Sequence, residues 1–150
     1  MPDPRDIQKT ARERVRKLGA PYEGAVTPAE AYALLQANPL ARIVDVRSKA
    51  EWDFVGRIPG AVEIEWKSWP GMKPNPGFLA ELESKVPKDA PVFFLCRSGG
   101  RSHDAAVAAQ QAGYEEAYNI LEGFEGDKDA GQHRNTVGGW RAAGLPWVQS

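Results

Sequence analysis

Cysteine is almost absent from this chain: Cys96 is the only one in 150 residues. A single cysteine excludes an internal disulfide and any cysteine-rich metal site, and it is compatible with a reducing compartment. Histidine is nearly as scarce, with two residues. Two histidines and one cysteine offer no ligand spacing, so no metal or organic cofactor is expected. An excess of charge is missing too, since 19 Lys and Arg against 20 Asp and Glu leave a net charge of −1. That balance argues against nucleic acid or an anionic membrane as a partner. No run approaches the ~20 apolar residues of a membrane-spanning helix. The opening segment, MPDPRDIQKTARERVRKLGA, is charged throughout and lacks the apolar stretch of a secretory leader. The expected location is the cytoplasm.

What is present suits one globular domain. A chain of 150 residues, 42% hydrophobic and 26% charged, is long enough to bury roughly 70% of the surface its unfolded form exposes. Asp3 followed by Pro4 reads as a helix cap and first turn, and Ile7, Ala11, Val15 and Leu18 then recur at helical spacing. This helix has one narrow apolar stripe, for docking on its own domain or on a partner, and residues 1–24 read as a helical extension preceding a domain over 25–150. Thr27-Pro28-Ala29-Glu30 is a capping box in front of a helix running to about Asn38. Short β-branched or apolar runs at 41–46, 61–66 and 91–96, with a weaker one at 117–121, read as strands. Helical stretches at 49–55, 78–86 and 102–112 and a turn at 137–143 lie between or after them. Strands alternating with helices predict an α/β fold, a largely parallel central sheet with helices on both faces. The one long irregular piece, 67–77 (KSWPGMKPNPG), is the kind of loop that often carries function.

In open α/β sheets, ligands bind beyond the carboxyl ends of the strands. The run PVFFL delivers Cys96 to such a position. Arg97, Ser98, Gly99, Gly100 and Arg101 follow as a compact loop, and Ser102-His103-Asp104 opens a helix. Adjacent glycines allow successive N–H groups to turn inward as a nest for an anion, and the helix start adds unpaired N–H groups. A helix terminus contributes only ~0.3–1 kcal/mol. Several converging amides together with Arg97 or Arg101 are therefore needed to hold a sulfur as thiolate. The alternative, a buried apolar cysteine closing a strand, is the commoner fate of a free cysteine. The Gly-Gly pair between two arginines favours the anion cradle.

Three motifs in order resemble the rhodanese superfamily, over about residues 25–148. They are Asp45-Val46-Arg47 with Glu51-Trp52 and Gly56-Arg57-Ile58-Pro59-Gly60-Ala61; the loop CRSGGRS; and Gly113-Tyr114 running into Asn119-Ile120-Leu121-Glu122-Gly123-Phe124, with Gly139-Trp140 and Leu145-Pro146-Trp147. The resemblance implies a rhodanese-like sulfurtransferase with Cys96 as nucleophile. Cys96 would take a sulfane sulfur from a small anionic donor such as thiosulfate and pass it as a persulfide to an external thiol, cyanide or protein acceptor. Residues Arg97, Ser98, Gly99, Gly100, Arg101 and Ser102 match the family's cradle, with Arg101 binding the donor anion. Arg97 would brace the loop through Asp45 or Glu51, and Asp45, Arg47 and Glu51 otherwise read as a structural ion-pair network. Arg57 departs from the family pattern, standing where histidine is usual. His103 reads as a surface residue in a first helical turn, and Trp66 and Trp69 either wall the site or cover the core.

Two other functions share this kind of fold. Phosphatases and arsenate reductases also place a thiolate in an anion cradle, but their relatives have five residues between Cys and Arg, enough to surround a phosphate. Here four separate Cys96 from Arg101. Noncatalytic interaction modules form the other class; they commonly lose the cysteine, which this chain keeps.

Overall fold

A computed structural model of the chain describes residues 3–68 and 70–149. Five parallel strands form the central sheet: β1 (Gly24–Val26), β2 (Arg42–Asp45), β3 (Val62–Glu63), β6 (Val92–Leu95) and β7 (Ala117–Ile120), in the order β1-β7-β6-β2-β3. A two-stranded antiparallel ribbon, β4 (Lys67–Ser68) with β5 (Lys73–Pro74), lies apart from it. The helices are α1 (Pro4–Leu18), α2 (Pro28–Ala37), α3 (Lys49–Phe54), α4 (Phe78–Lys85) and α5 (Gly100–Gln111).

Strand β6 is the centre of the sheet, and all four of its residues are buried. Its side chains alternate between two hydrophobic layers, as a pleated strand requires. Val92, Phe94 and Cys96 face α4 and α5 through Leu82, Ala106 and Ala109. Phe93 and Leu95 face α2 and α1 through Ala31, Leu34, Ile7 and Ala11. Helices therefore cover both faces, as the alternation of elements predicted.

Helix α1 docks on its own domain. Ile7, Ala11 and Val15 are buried, whereas Leu18, the last residue of the expected stripe, is 64% exposed. Gly24 lets the helix come close: a Cβ there would sit 2.8 Å from both the Ala11 Cβ and the Tyr118 ring. Arg14 then clamps α1 to α2, donating to both carboxylate oxygens of Glu30 and to the Ala25 carbonyl. Glu30 also closes the capping box at Thr27.

Three expectations change in detail. Strand β1 was not expected, because Gly-Ala-Val has neither alternation nor strong β-propensity; its pairing with β7 makes it. The run at 61–66 forms regular pairing only at Val62–Glu63, although Ile64 and Trp66 still donate to the Asp45 and Val46 carbonyls. Helix α5 starts at Gly100 rather than Ser102, capped by Gly99 in a left-handed conformation (φ 119°). The shift moves Gly100 and Arg101 from loop to first helical turn. Among the described residues no helix is long and apolar enough to cross a membrane.

Candidate active site

The carboxyl ends of β2, β6 and β7 bring three chain segments together. The first is Asp45-Val46-Arg47, leading to α3. Arg47 is fully buried and donates to both Asp45 carboxylate oxygens, at 2.7 Å to Oδ2, and to the Gly56 carbonyl at 2.7 Å. Its guanidinium also lies 4.1 Å from the centre of the Phe124 ring. One residue thus ties the end of β2, the end of α3 and the segment after β7. Both Asp45 oxygens are taken by Nε and Nη2 of Arg47, whose buried Nη1 has no partner among the described residues, so Asp45 is not a brace for Arg97 as the sequence suggested.

The second segment is the loop after β6. Cys96 is 1% exposed and belongs to the hydrophobic layer on the α4/α5 face, yet its sulfur is also polar-lined. Gly99 donates its backbone N–H to Sγ at 3.1 Å, and the Ser102 hydroxyl lies 3.3 Å away. Among the described residues the amides of Ser98, Gly100, Arg101 and Ser102 have no protein acceptor, as the start of a helix leaves them. The sulfur thus packs within an apolar layer while accepting one backbone N–H and lying beside one hydroxyl.

The third segment explains how the loop presents N–H groups rather than carbonyls. The Cys96 carbonyl accepts from Phe124 N–H at 2.8 Å, and the Arg97 carbonyl accepts from Glu125 and Gly126 at 3.0 and 3.2 Å. Their carbonyls are turned toward residues 124–126 and away from the sulfur. Gly123 makes the approach possible, because a Cβ there would fall 2.5 Å from the Cys96 oxygen and 2.6 Å from the Arg97 carbonyl. Asn119, at the end of β7, completes the support. It accepts from the Ser102 hydroxyl at 2.6 Å and donates to the Gly99 carbonyl at 3.3 Å. The sequence alone assigns no individual role to Asn119 or Gly123. A buried polar residue inside the otherwise apolar strand AYNI was the available signal for Asn119.

The arginines pair differently from expectation. Arg101, from the first turn of α5, donates to both carboxylate oxygens of Glu51 at 2.7 and 2.9 Å, with side-chain exposures of 13% and 18%. Burial alone pushes the Glu51 carboxyl up, but Arg101 and the Ser48 donors more than offset it and hold it below the usual carboxylate value. Glu51 also forms the capping box of α3 with Ser48. Arg97 is exposed and, among the described residues, has no ion pair. Glu51 thus serves Arg101, because α5 begins early enough to point that side chain at α3.

His103 is half-buried rather than freely solvated: its Nδ1 is 2.8 Å from the Tyr22 hydroxyl, and the rings meet edge-on. Arg57 is a scaffold residue, bonded to Asp53 and Glu63 and bridged through its backbone to Val148. Trp66 stands edge-on to Phe78 at 4.9 Å and covers the core; Trp69 lies outside the described residues. A cavity of about 710 Å³ opens over the loop. Ser48, Glu51, Phe54, Lys67, Arg97 and Arg101 are among the residues lining it. Cys96 is not among the residues that line it.

Comparison with known proteins agrees with this arrangement. A family model described as "Rhodanese-like domain" matches residues 27–130. An uncharacterized protein of Rickettsia conorii is 38% identical over 121 residues, covering 79% of this chain and 91% of that one. A Mycobacterium tuberculosis protein named "Probable adenylyltransferase/sulfurtransferase MoeZ" is 33% identical over 99 residues, 66% of this chain and 23% of that protein. Among solved structures, Rv0390 from M. tuberculosis superposes with a TM-score of 0.80 at 48% identity, covering 86% of this chain and 99% of that one. The polysulfide-sulfur transferase homodimer from Wolinella succinogenes shares the fold alone, at 22% identity and a TM-score of 0.59, covering 97% and 90%. With the family model spanning most of the sheet and both flanks of the Cys96 loop, the chain belongs to the rhodanese-like domain family.

Proposed function

We propose that this chain is a sulfurtransferase that carries sulfane sulfur on Cys96. The observation that carries the reading is the polar lining of that sulfur. One amide already donates to Sγ, and the neighbouring amides of the α5 start are left without protein acceptors while the adjacent carbonyls are held elsewhere. Such an array stabilises negative charge on sulfur and on an anion bound beside it.

The reaction is two displacements. In the first, the Cys96 thiolate attacks the outer sulfur of thiosulfate; the new S–S bond forms as the old one breaks, and its electron pair leaves with sulfite. In the second, an external thiolate or cyanide attacks the outer sulfur of the persulfide, and the electron pair of the Sγ–S bond returns to Cys96. Because Cys96 is the only cysteine, no internal disulfide can discharge the persulfide, and the kinetics are ping-pong. Arg97, exposed and unpaired among the described residues, is a cation at the cavity available to meet the donor anion. Ser98, Gly99, Gly100 and Ser102 supply the cradle, Asp45, Arg47 and Glu51 support it, and Arg101 contributes positive charge already shared with Glu51.

That sharing also speaks against phosphoryl transfer. A phosphatase cradle needs its arginine to bracket the phosphate oxygens, whereas both terminal nitrogens of Arg101 are engaged by a carboxylate, and the loop is one residue short. The experiment is a steady-state thiosulfate:cyanide assay on wild type and Cys96→Ser, with thermal unfolding as the control on folding. Turnover is expected only in wild type; turnover by a folded Cys96→Ser variant defeats the proposal.

A further inference from the structure

The hydroxyl beside the Cys96 sulfur has one proton to give, and its surroundings decide where that proton points. Ser102 Oγ lies 2.6 Å from Asn119 Oδ1 and 3.3 Å from Cys96 Sγ. The Asn119 amide is oriented by its nitrogen, which donates to the Gly99 carbonyl at 3.3 Å. Its oxygen is therefore the atom turned to Ser102, and because an amide oxygen only accepts, the Ser102 proton is directed at Asn119. Toward the sulfur Ser102 presents a lone pair. That arrangement suits an S–H group donating to Oγ and opposes a thiolate, which needs the hydroxyl turned the other way.

Turning it requires only rotation of the hydroxyl hydrogen, but it strips Asn119 Oδ1 of its donor. Asn119 is 4% exposed, and an acceptor buried without a donor is costly. One other donor stands next to it. The Tyr22 hydroxyl comes from the segment joining α1 to β1 and lies in the same buried layer as Cys96. Burial pushes that hydroxyl up, and the Asn119 side chain beside it opposes the push. The Tyr22 oxygen is also 2.8 Å from His103 Nδ1, to which it donates when the imidazole carries its proton on Nε2. Tyr22 thus has two acceptors for one proton.

Resting on the sulfurtransferase reading above, we infer that Tyr22 is a positioning residue of the sulfur site: its hydroxyl donates to His103 while Cys96 is a thiol and to Asn119 once Cys96 is ionised, which releases the Ser102 hydroxyl to the sulfur. The thiol proton leaves to water, and no bond between heavy atoms forms or breaks. The charges around the sulfur are those of Arg101 on α5, paired with Glu51 of α3, of Asp45 at the end of β2, paired with Arg47, and of Arg97 beside it in the loop. Helix α4 adds only Phe78 and Leu82 to this layer, and His103 is the titratable group facing Tyr22. Tyr22→Phe alters none of these and keeps the buried ring. Asn119 is a poorer probe, because it also holds the Gly99 carbonyl and with it the residue whose amide donates to Sγ.

The experiment charges wild type, Tyr22→Phe and His103→Leu with thiosulfate over a range of pH, follows the persulfide by intact mass, and checks folding by thermal unfolding. One hydrogen bond nets ~0.5–1.5 kcal/mol, so Tyr22→Phe is expected to charge about twofold to tenfold more slowly than wild type near neutral pH. In alkaline solution, where the sulfur is ionised without help, its rate should rejoin that of wild type. His103→Leu removes the competing acceptor and leaves Tyr22 free for Asn119, so its rate is expected to equal or exceed that of wild type. A simple tether between Tyr22 and α5 would instead slow both variants alike at every pH. That result overturns the inference, as does a Tyr22→Phe rate equal to wild type near neutrality or a slowed His103→Leu taken alone; each leaves the sulfurtransferase reading standing. Failure of wild type to charge overturns both.

Discussion

Replacing Gly123 by alanine is a direct probe of the loop's architecture, and Gly19 supplies its control. The two glycines have nearly the same backbone, φ 63° and 68°. A methyl group at Gly19 meets nothing within 4 Å, whereas at Gly123 it falls 2.5 Å from the Cys96 oxygen and 2.6 Å from the Arg97 carbonyl. Each variant bears the left-handed backbone cost of an L-residue, about 1–2 kcal/mol. Only Gly123→Ala must also push residues 124–126 off the loop. That loosens the bonds from Phe124, Glu125 and Gly126 to the Cys96 and Arg97 carbonyls, at about 1 kcal/mol each. The expected losses are therefore about 1–2 kcal/mol for Gly19→Ala and about 3–5 kcal/mol for Gly123→Ala. Within a typical stability of ~5–15 kcal/mol, both remain folded. Urea unfolding measures the losses, and mass analysis after thiosulfate measures persulfide formation. Gly123→Ala is expected to charge poorly and Gly19→Ala normally. Equal stability losses with normal charging in both would refute the idea that the 123–126 segment sets the loop.

The remaining predictions concern the charges around the site. Arg47→Met leaves Asp45 buried without its partner and is expected to cost about 3–5 kcal/mol in urea unfolding; Asp45→Asn with Arg47→Met together should cost less than the sum of the single changes. Glu51→Gln removes the partner of a mostly buried Arg101 and is expected to cost about 1–3 kcal/mol at neutral pH. The Glu51 carboxyl in the folded protein lies below its ordinary value of 4.5. Its stabilising contribution is therefore complete above that pH and is lost as pH falls through the lower folded value. Wild type should lose more stability than Glu51→Gln between pH 5 and the acid transition, as followed by unfolding midpoints at stepped pH. Asn119→Ala frees the Ser102 hydroxyl and the Gly99 carbonyl, and is expected to slow charging of Cys96 at least several-fold while leaving the thermal transition cooperative.

Much of this architecture was legible from the residues. The caps at Asp3 and Thr27 and the apolar spacing that follows them located α1 and α2, because capping is decided within one turn of chain. The run PVFFL identified β6, since four consecutive apolar residues must be buried on both faces. The position of Cys96 at its end followed directly. Strand β1 was illegible, because Gly24-Ala25-Val26 becomes a strand only through β7 and the covering α1. The ion pairs were illegible for a related reason. Which acid meets Arg101 depends on whether α5 begins at Gly100 or Ser102, and that is settled by the left-handed backbone of Gly99. Local sequence placed charged residues near the site; the tertiary fold chose their partners. His103 shows the same dependence, since Tyr22, which half-buries it, comes from the distant segment joining α1 to β1.

The most direct test of the central claim is intact-mass spectrometry of the whole chain after incubation with thiosulfate, followed by peptide mapping. A gain of one sulfur atom on Cys96, removed by cyanide and absent in Cys96→Ser, is the predicted result. An unmodified cysteine after thiosulfate, or a phosphorylated Cys96 trapped after a phosphatase substrate, would contradict it.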